Sequence, residues 1–478
     1  MTADETLPGR APRPRRGGRF PTTVIATVGI LAVLAAGLGV ASVVRGPRIS
    51  SGVVNETAAV SKTGQRLTLD VDQRTDAVTP DDVTVTPDAP HSVASDGSSV
   101  VITFDGMLRY ATDYTVSVAL RGSDSGAEAT SSYSFTTPDA DVYTLVRDYR
   151  HDSSDVKMPD SIVQSTVVDP AGSGAAPAAA QRIEEFAASD SMIATVESTA
   201  DGSDALVLHG TDGAGPYPVF SPDGAIITTL RSAPSAGLFG YTVNGGTADD
   251  GSTYRSALLV YDPTASSGRP VVVTSLDGQP LYVVSWVFVP GTSSLVAQAQ
   301  DQQLYLVDGL TGTSSPIGRH TEIRGFLPGS ATLIVGDSTG DSALDLTDGT
   351  STPWTRTPIQ AEADEYPGKI VPTGADQYVQ QLDRVDYAQS TAPLGSRLVA
   401  ADPSGIRTVF TPPSAGGRIT DFCTSPNGQY LAVEVVSADA RVDTYAVTGY
   451  ENVLTYFVDL ATGDSSRSVN GFMPSWCT

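Results

Sequence analysis

The 478-residue chain has little of what most enzymes and nucleic-acid binders need: two cysteines, four histidines and three lysines, Lys62, Lys157 and Lys369. His91, His151, His209 and His320 are far apart and give no metal-ligand spacing. There is no Gly-x-x-x-x-Gly-Lys-Ser/Thr phosphate loop, no His-Glu-x-x-His and no Cys-x-x-Cys. Residues 1–48 hold seven of the 29 basic residues and two of the 54 acidic ones, leaving 22 basic against 52 acidic beyond them. Nucleic-acid binding needs basic surface to displace counterions, and this balance excludes it. The acidity is expected to serve solubility. A cationic partner or bound calcium is the alternative, and no cofactor is expected. Arginine in place of lysine, with abundant Ala, Gly, Asp and Thr, suggests a GC-rich bacterial genome.

Residues 24–44 carry no charge at all and follow Arg10, Arg13, Arg15, Arg16 and Arg19. A helix of that length spans roughly 30 Å of hydrocarbon, and its basic flank belongs on the cytoplasmic side. The expectation is a cytoplasmic Arg/Pro-rich tail over 1–23, a single transmembrane signal anchor over 24–44, and the bulk of the chain outside the cell membrane. The run exceeds the core of about 7–15 residues of a signal peptide. Gly39 and Ala41 fit a cleavage site, so a cleaved signal remains the alternative.

Long helical patterns are missing beyond the anchor. Residues 49–138 alternate in short strands: Arg66-Leu-Thr-Leu-Asp-Val, Val83-Thr-Val-Thr, Val100-Val-Ile-Thr-Phe and Tyr114-Thr-Val-Ser-Val, with turns such as Ser95-Asp-Gly between them. About 90 residues of this kind argue for a β-sandwich. Leu108, Tyr114 and Val116, then Phe135, Thr136 and Thr137, give the stretch a resemblance to bacterial Ig-like domains of the surface-layer type. That resemblance implies a spacer or adhesion module.

Residues 139–478 repeat. An apolar strand ending in aspartate runs into a Gly or Pro turn at Asp169, Asp262, Asp308, Asp348, Asp402 and Asp459, with Ala205-Leu-Val-Leu-His-Gly as a degenerate copy. A second mark reads Phe220-Ser-Pro-Asp-Gly and Thr424-Ser-Pro-Asn-Gly, with weaker copies at Phe288-Val-Pro-Gly and Phe326-Leu-Pro-Gly. Periods near 40–50 residues with short strands mean propeller blades. Asp and Gly suit the tight turns, so these aspartates are read as structural. The Ser-Pro-Asp-Gly copies resemble the repeats of the TolB, or WD40-like, family of bacterial propellers. The resemblance implies a scaffold that binds other proteins or envelope components.

The fold class is therefore all-β: a β-propeller over 139–478, an Ig-like sandwich over 49–138 and one N-terminal transmembrane helix. The count gives seven blades, with six as the alternative. The first blade lacks an innermost strand before Tyr143, and Gly471-Phe-Met-Pro-Ser-Trp476 looks like an innermost strand without a blade. The C-terminus is expected to complete the first blade and hide the strand edges. Cys423 and Cys477 then lie on adjacent inner strands and form a disulfide, as an oxidising compartment permits.

Connections between second and third strands share one face of a propeller. Four read as long: 149–160, 231–255, 386–395 and 437–452. They carry Phe239, Tyr241, Tyr254, Tyr387, Tyr445 and Tyr450, the candidate partner-binding residues, since aromatics with rim charges are common in binding patches. Packing against neighbouring blades is the alternative for each of them. Glu362, Asp364 and Glu365 read as solvated surface.

Gly336-Asp-Ser338-Thr-Gly340 matches the Gly-x-Ser-x-Gly nucleophile pattern. That pattern needs a following helix and a later histidine, and no histidine follows His320. A propeller turn explains it. Asp337, Asp341 and Asp345 do not have EF-hand spacing. No catalytic or metal residue is assigned. The expected function is a membrane-anchored binding or scaffold protein of the bacterial cell envelope, whose loop face contacts a protein or a wall polymer. The alternative is an extracytoplasmic hydrolase or lyase acting on envelope glycans or peptides through carboxylates at the propeller mouth.

Overall fold

The computed structural model describes residue 27 and residues 46–148, 158–169, 174–248, 251–386 and 393–477. Apart from Thr27, the expected anchor lies outside the described residues. No helix among the described residues is long and apolar enough to cross a membrane.

The chain is all-β and divides into two compact units. The first holds the described residues up to Val54, Arg66–Thr103 and Thr115–Ser134. The second holds Asn55–Gln65, Phe104–Tyr114 and everything from Phe135 onward.

The N-terminal strands are β1 (Ile49–Val53), β2 (Arg66–Val71), β3 (Val83–Thr86), β4 (His91–Ser95), β5 (Ser99–Phe104), β6 (Asp113–Arg121) and β7 (Glu128–Thr136). They form two antiparallel sheets, ordered β1-β2-β5-β4 and β3-β6-β7. Alternation drives their burial: Leu67, Leu69, Val100, Ile102, Val116 and Val118 are fully buried while their sequence neighbours face outward. Between β1 and β2 runs one helical turn, α1 (Glu56–Ser61), which Asn55 caps by accepting the Ala58 N–H at 3.0 Å.

From residue 141 the chain is a succession of antiparallel sheets in sequence order. The first contains β8 (Asp141–Val146), β9 (Asp160–Thr166) and β10 (Ala178–Ala180). The second contains β11 (Ile183–Ala188), β12 (Met192–Ser198), β13 (Asp204–Gly210) and β14 (Tyr217–Pro218). Next come β15 (Ala225–Ala233), β16 (Leu238–Thr247), β17 (Thr253–Tyr261) and β18 (Val271–Val272). The fourth sheet is β19 (Val283–Phe288), β20 (Ser294–Ala299), β21 (Gln303–Asp308) and β22 (Ser314–Arg319). The fifth is β23 (Glu322–Phe326), β24 (Thr332–Asp337), β25 (Gly340–Asp345) and β26 (Ser351–Trp354). The sixth is β27 (Glu365–Gly374), β28 (Gln377–Arg384), β29 (Gly395–Asp402) and β30 (Gly405–Phe410). The last is β31 (Arg418–Thr424), β32 (Tyr430–Val436), β33 (Leu454–Asp459) and β34 (Ser465–Asn470).

Each sheet packs on the next through its first strand: β11 on β8 and β9, β15 on β11, then β19, β23, β27 and β31 in turn. This is the arrangement of a β-propeller. The C-terminal segment completes the first sheet. Leu145 and Phe472 exchange backbone hydrogen bonds of 2.9 and 3.1 Å, and Ser475 N–H donates to the Tyr143 carbonyl. Cys423 of β31 bonds to Cys477, with Cα atoms 5.5 Å apart. Last and first sheets are thereby joined, and the inner edges are paired as expected.

The repeat aspartates act in turns. Asp262, Asp308, Asp402 and Asp459 each accept backbone N–H groups two or three residues on, at 2.7 to 3.2 Å. In the fifth sheet the strand ends at Asp345, which accepts from Thr347 N–H at 2.8 Å, and Asp348 accepts from Thr350 N–H at 2.8 Å in the same turn. The two sharpest Pro-Asp/Asn-Gly copies are not equivalent. Residues 424–428 join β31 to β32 within a sheet, whereas 220–224 join β14 to β15 between sheets. The motif encodes a left-handed glycine, Gly224 at φ 75° and Gly428 at φ 72°, wherever a tight turn is required.

Candidate functional site

Neighbouring strands in these sheets are antiparallel, so the second strand of each ends where the first begins. The connections between second and third strands therefore share one face with the starts of the inner strands. This loop face carries exposed Ile226, Tyr282, Val284, Tyr366, Leu394 and Val442. The opposite end of the same sheets exposes Val168, Leu310 and Ile406.

The aromatic candidates distribute unevenly. Residues 231–255 are not one long loop, because β15, β16 and β17 run through them with short turns. Phe239 and Tyr241 consequently lie in β16 and are buried in the core with Ile227 and Leu259. Tyr254 is half-buried in β17. Tyr445 is buried: its hydroxyl donates to Asp160 at 2.7 Å, and the guanidinium groups of Arg147 and Arg182 lie 3.8 and 4.1 Å from its ring centre. Burial first, and the Asp160 carboxylate second, raise its phenol above the usual range. Tyr450 is half-buried with Arg418 over its ring at 5.3 Å. Tyr387, with most of 149–160 and 386–395, lies outside the described residues. Strand register decided these positions: Phe239 and Tyr241 are two apart, the spacing of a strand face.

The 437–452 connection is held by a buried network. Arg147 donates to Asp443 at 2.5 Å and to the Glu184 carbonyl at 2.7 Å, with both side chains of the ion pair excluded from water. Val447 N–H donates to Glu184 at 2.9 Å. Such a segment is a fixed wall of the face.

Every inner strand from β11 to β31 carries a bulge, near its start except in β15, where it falls mid-strand between Thr228 and Arg231. Bulges re-aim side chains. Around them gather Glu185, Arg231, Lys369, Asp421 and Glu434. Lys369 pairs with Asp421 at 2.5 Å. Glu434 is enclosed, accepting from Met473 N–H at 2.6 Å and the Thr420 hydroxyl at 3.1 Å. Burial, then the nearby Asp421 carboxylate, push its acid up to about 7. Burial raises Glu185 against the Leu230 N–H that it accepts at 2.6 Å, and lowers Arg231 against the pull of Glu185 and Asp421.

Two hollows stand out. The larger, about 470 Å³, lies between the sixth and seventh sheets beside Leu108 and Arg109. Its polar walls are occupied with one another: Arg109 pairs with Asp459 at 2.7 Å, Arg407 donates to the Leu460 carbonyl, and Asp402 caps its own turn. The smaller, about 280 Å³, opens on the loop face between the third and fourth sheets. Thr228, Thr229, Thr242, Asn244, Ser256 and Gln300 line it together with Val283, Val284 and Trp286. None of these carries a charge. Sequence reading missed this site because its residues come from four strands and one connection and form no local motif. Among the described residues, no group of His, Cys, Asp or Glu is placed to hold a metal ion.

No family model matches the chain, and no curated protein matches it. It is similar to the β-propeller domain of the Trilobed protease from Pyrococcus furiosus, at 8% identity and a TM-score of 0.37, over 89% of this chain and 96% of that one. It is also similar to an auxiliary nutrient binding protein from Bacteroides thetaiotaomicron VPI-5482, at 12% identity and TM-score 0.33, over 89% and 98%. AztD from Citrobacter koseri matches at 13% identity and TM-score 0.37, over 70% and 82%. Similarities this distant carry no functional conclusion, and the propeller rests on the strand pairing above.

Proposed function

We propose that this chain is a membrane-anchored, extracytoplasmic binding or scaffold protein of the bacterial envelope. In this reading residues 24–44 hold it in the cell membrane, an Ig-like sandwich over 49–138 acts as a spacer, and a seven-bladed, TolB-like propeller over 139–478 presents its loop face to a protein or wall polymer. The observation that carries the reading is the exposed apolar set on that face, Ile226, Tyr282, Val284, Tyr366, Leu394 and Val442. Apolar side chains gathered on one end of a rigid scaffold are the usual mark of a recognition surface. The acidic balance of the chain beyond residue 48 supports a solvated, self-repelling exterior around it.

The alternative is a hydrolase or lyase. Glu434 is a buried carboxyl pushed up to about 7, yet both its oxygens are engaged within the fold. Binding is therefore favoured. The test is capture from solubilised envelope by the full chain, beside a variant carrying Tyr366→Ser, Leu394→Ser and Val442→Ser. A component retained by the parent and lost by the variant supports the reading. Equal capture by both, or none, counts against it.

A further inference from the structure

The 280 Å³ hollow between the third and fourth sheets is lined by hydroxyls, amides and an indole, and by no ionisable side chain. In a chain with formal net charge −25 this neutrality is itself informative about the ligand. A bound cation would find no carboxylate in the wall and an anion no guanidinium or ammonium, and an unpaired buried charge is costly. An apolar ligand would strand the polar groups that face it.

Those groups have capacity to spare. The Thr228 hydroxyl bonds the Thr242 hydroxyl at 2.9 Å and Thr242 donates to the Thr228 carbonyl at 2.9 Å, which leaves both hydroxyl oxygens able to accept. Asn244 Oδ1 accepts from Ser256 N–H at 2.7 Å and from its hydroxyl at 3.2 Å, which leaves the Asn244 amide N–H groups without an acceptor among the described residues.

A second observation is independent of the lining. Thr229 and Ser256 both adopt left-handed backbone conformations, φ 56° and 49°. For a β-branched residue this is an outlier, and such strain gathers at functional sites. At Thr229 it is imposed from outside the hollow: Glu185 on the neighbouring inner strand accepts the Leu230 N–H at 2.6 Å and holds the bulge that contains Thr229. The fold thus maintains two strained hydroxyl-bearing residues on one small wall.

We infer that this hollow is a binding site for one unit of a neutral, hydroxyl-rich carbohydrate. The inference rests on the binding reading above and names its ligand class. A sugar ring offers several donors and acceptors at once and no charge, which matches the hydroxyl oxygens, the Asn244 amide and the exposed Gln300 amide. Exposed Val284 at the rim provides an apolar surface for the ring's C–H face.

The test is titration calorimetry on the full chain, in a detergent without a sugar headgroup. The probes are maltotriose, cellotriose and triacetylchitotriose, with a uronic-acid trisaccharide as the charged control. At least one neutral probe is expected to bind at one site and the charged one not. The Thr229→Gly/Ser256→Gly variant removes both hydroxyls while accommodating both left-handed conformations. It is expected to weaken binding about tenfold or more, as loss of two hydrogen bonds implies, with no fall in Tm. Gln300→Ala removes an exposed amide from the wall and serves as the second variant. Absence of neutral binding at millimolar concentration, preference for the charged probe, or unchanged affinity in both variants overturns the proposal. If the loop-face variant loses an envelope partner while no sugar binds, this inference fails and the binding reading stands. If neither extract nor sugar yields a ligand, both fail.

Discussion

The seam that closes the ring and the hollow between the third and fourth sheets are both rich in polar side chains, and they are built on opposite terms. At the seam, partners are matched: Arg147 pairs with Asp443 out of water, and Cys423 is bonded to Cys477. In the hollow nothing is charged, and the Asn244 amide N–H groups have no acceptor among the described residues. Polar groups that answer one another specify the fold. Polar groups left open beside a strained backbone specify a ligand. This distinction separates structure from function here better than residue type does, since the tyrosines that look most like binding residues are mostly packed.

Breaking a matched pair at the seam should have the largest effect. Arg147→Met leaves Asp443 buried and unpaired and releases the 437–452 connection. Removing one partner of a buried ion pair costs about 3–5 kcal/mol. Urea denaturation should show that loss, and Asp443→Asn should recover part of it in the Arg147→Met background. A change under about 1 kcal/mol would mean that the network contributes no net stability.

Next in size is the covalent tie. Replacing Cys423 and Cys477 together by alanine is expected to cost about 2–4 kcal/mol. Reduction of the parent should lower its Tm comparably, and reduction of the double variant should not lower it further. If the double variant matched the oxidised parent, backbone pairing of residues 471–477 with β8 would alone hold the ring closed.

Much of the seam was legible in the sequence. A first blade lacking its inner strand, a surplus strand at the C-terminus and a cysteine on each side were enough, because strand pairing demands a partner for every edge. The turn aspartates were equally legible, since a carboxylate two residues before an N–H has a single local use. The hollow was not. Thr229, Asn244, Ser256 and Trp286 become neighbours only through the register of β15, β16 and β17 and the packing of β19 on β15. The reading of 231–255 as a loop failed on Phe239-Gly-Tyr241, where a short turn at 234–237 leads into β16, which pairs with β15 and β17.

Glu434 gives the seam a pH dependence that the hollow lacks. Its acid is raised from the ordinary 4.5 to about 7 in the folded chain. The folded state therefore holds this proton more tightly than the unfolded one. Its contribution is fully present below about pH 4.5 and is lost as pH rises through about 7, so stability should fall over that window, by roughly 2–3 kcal/mol. Glu434→Gln should flatten this segment of the profile and be more stable than the parent at pH 8. An unchanged slope would assign the dependence to other groups.

The smallest effect has the opposite sign. Thr229→Gly alone removes a β-branched side chain from a left-handed conformation whose strain is of order 1–3 kcal/mol, against the greater unfolded-state freedom of glycine, about 0.5–1 kcal/mol. The net expectation is a gain of about 1 kcal/mol, read as a rise in Tm. A substitution that stabilises the fold and weakens sugar binding would show that the strain is kept for the ligand. A destabilised variant would mean that the Thr229 methyl or hydroxyl supports packing between β15 and β19, and the hollow would then belong with the seam, as structure.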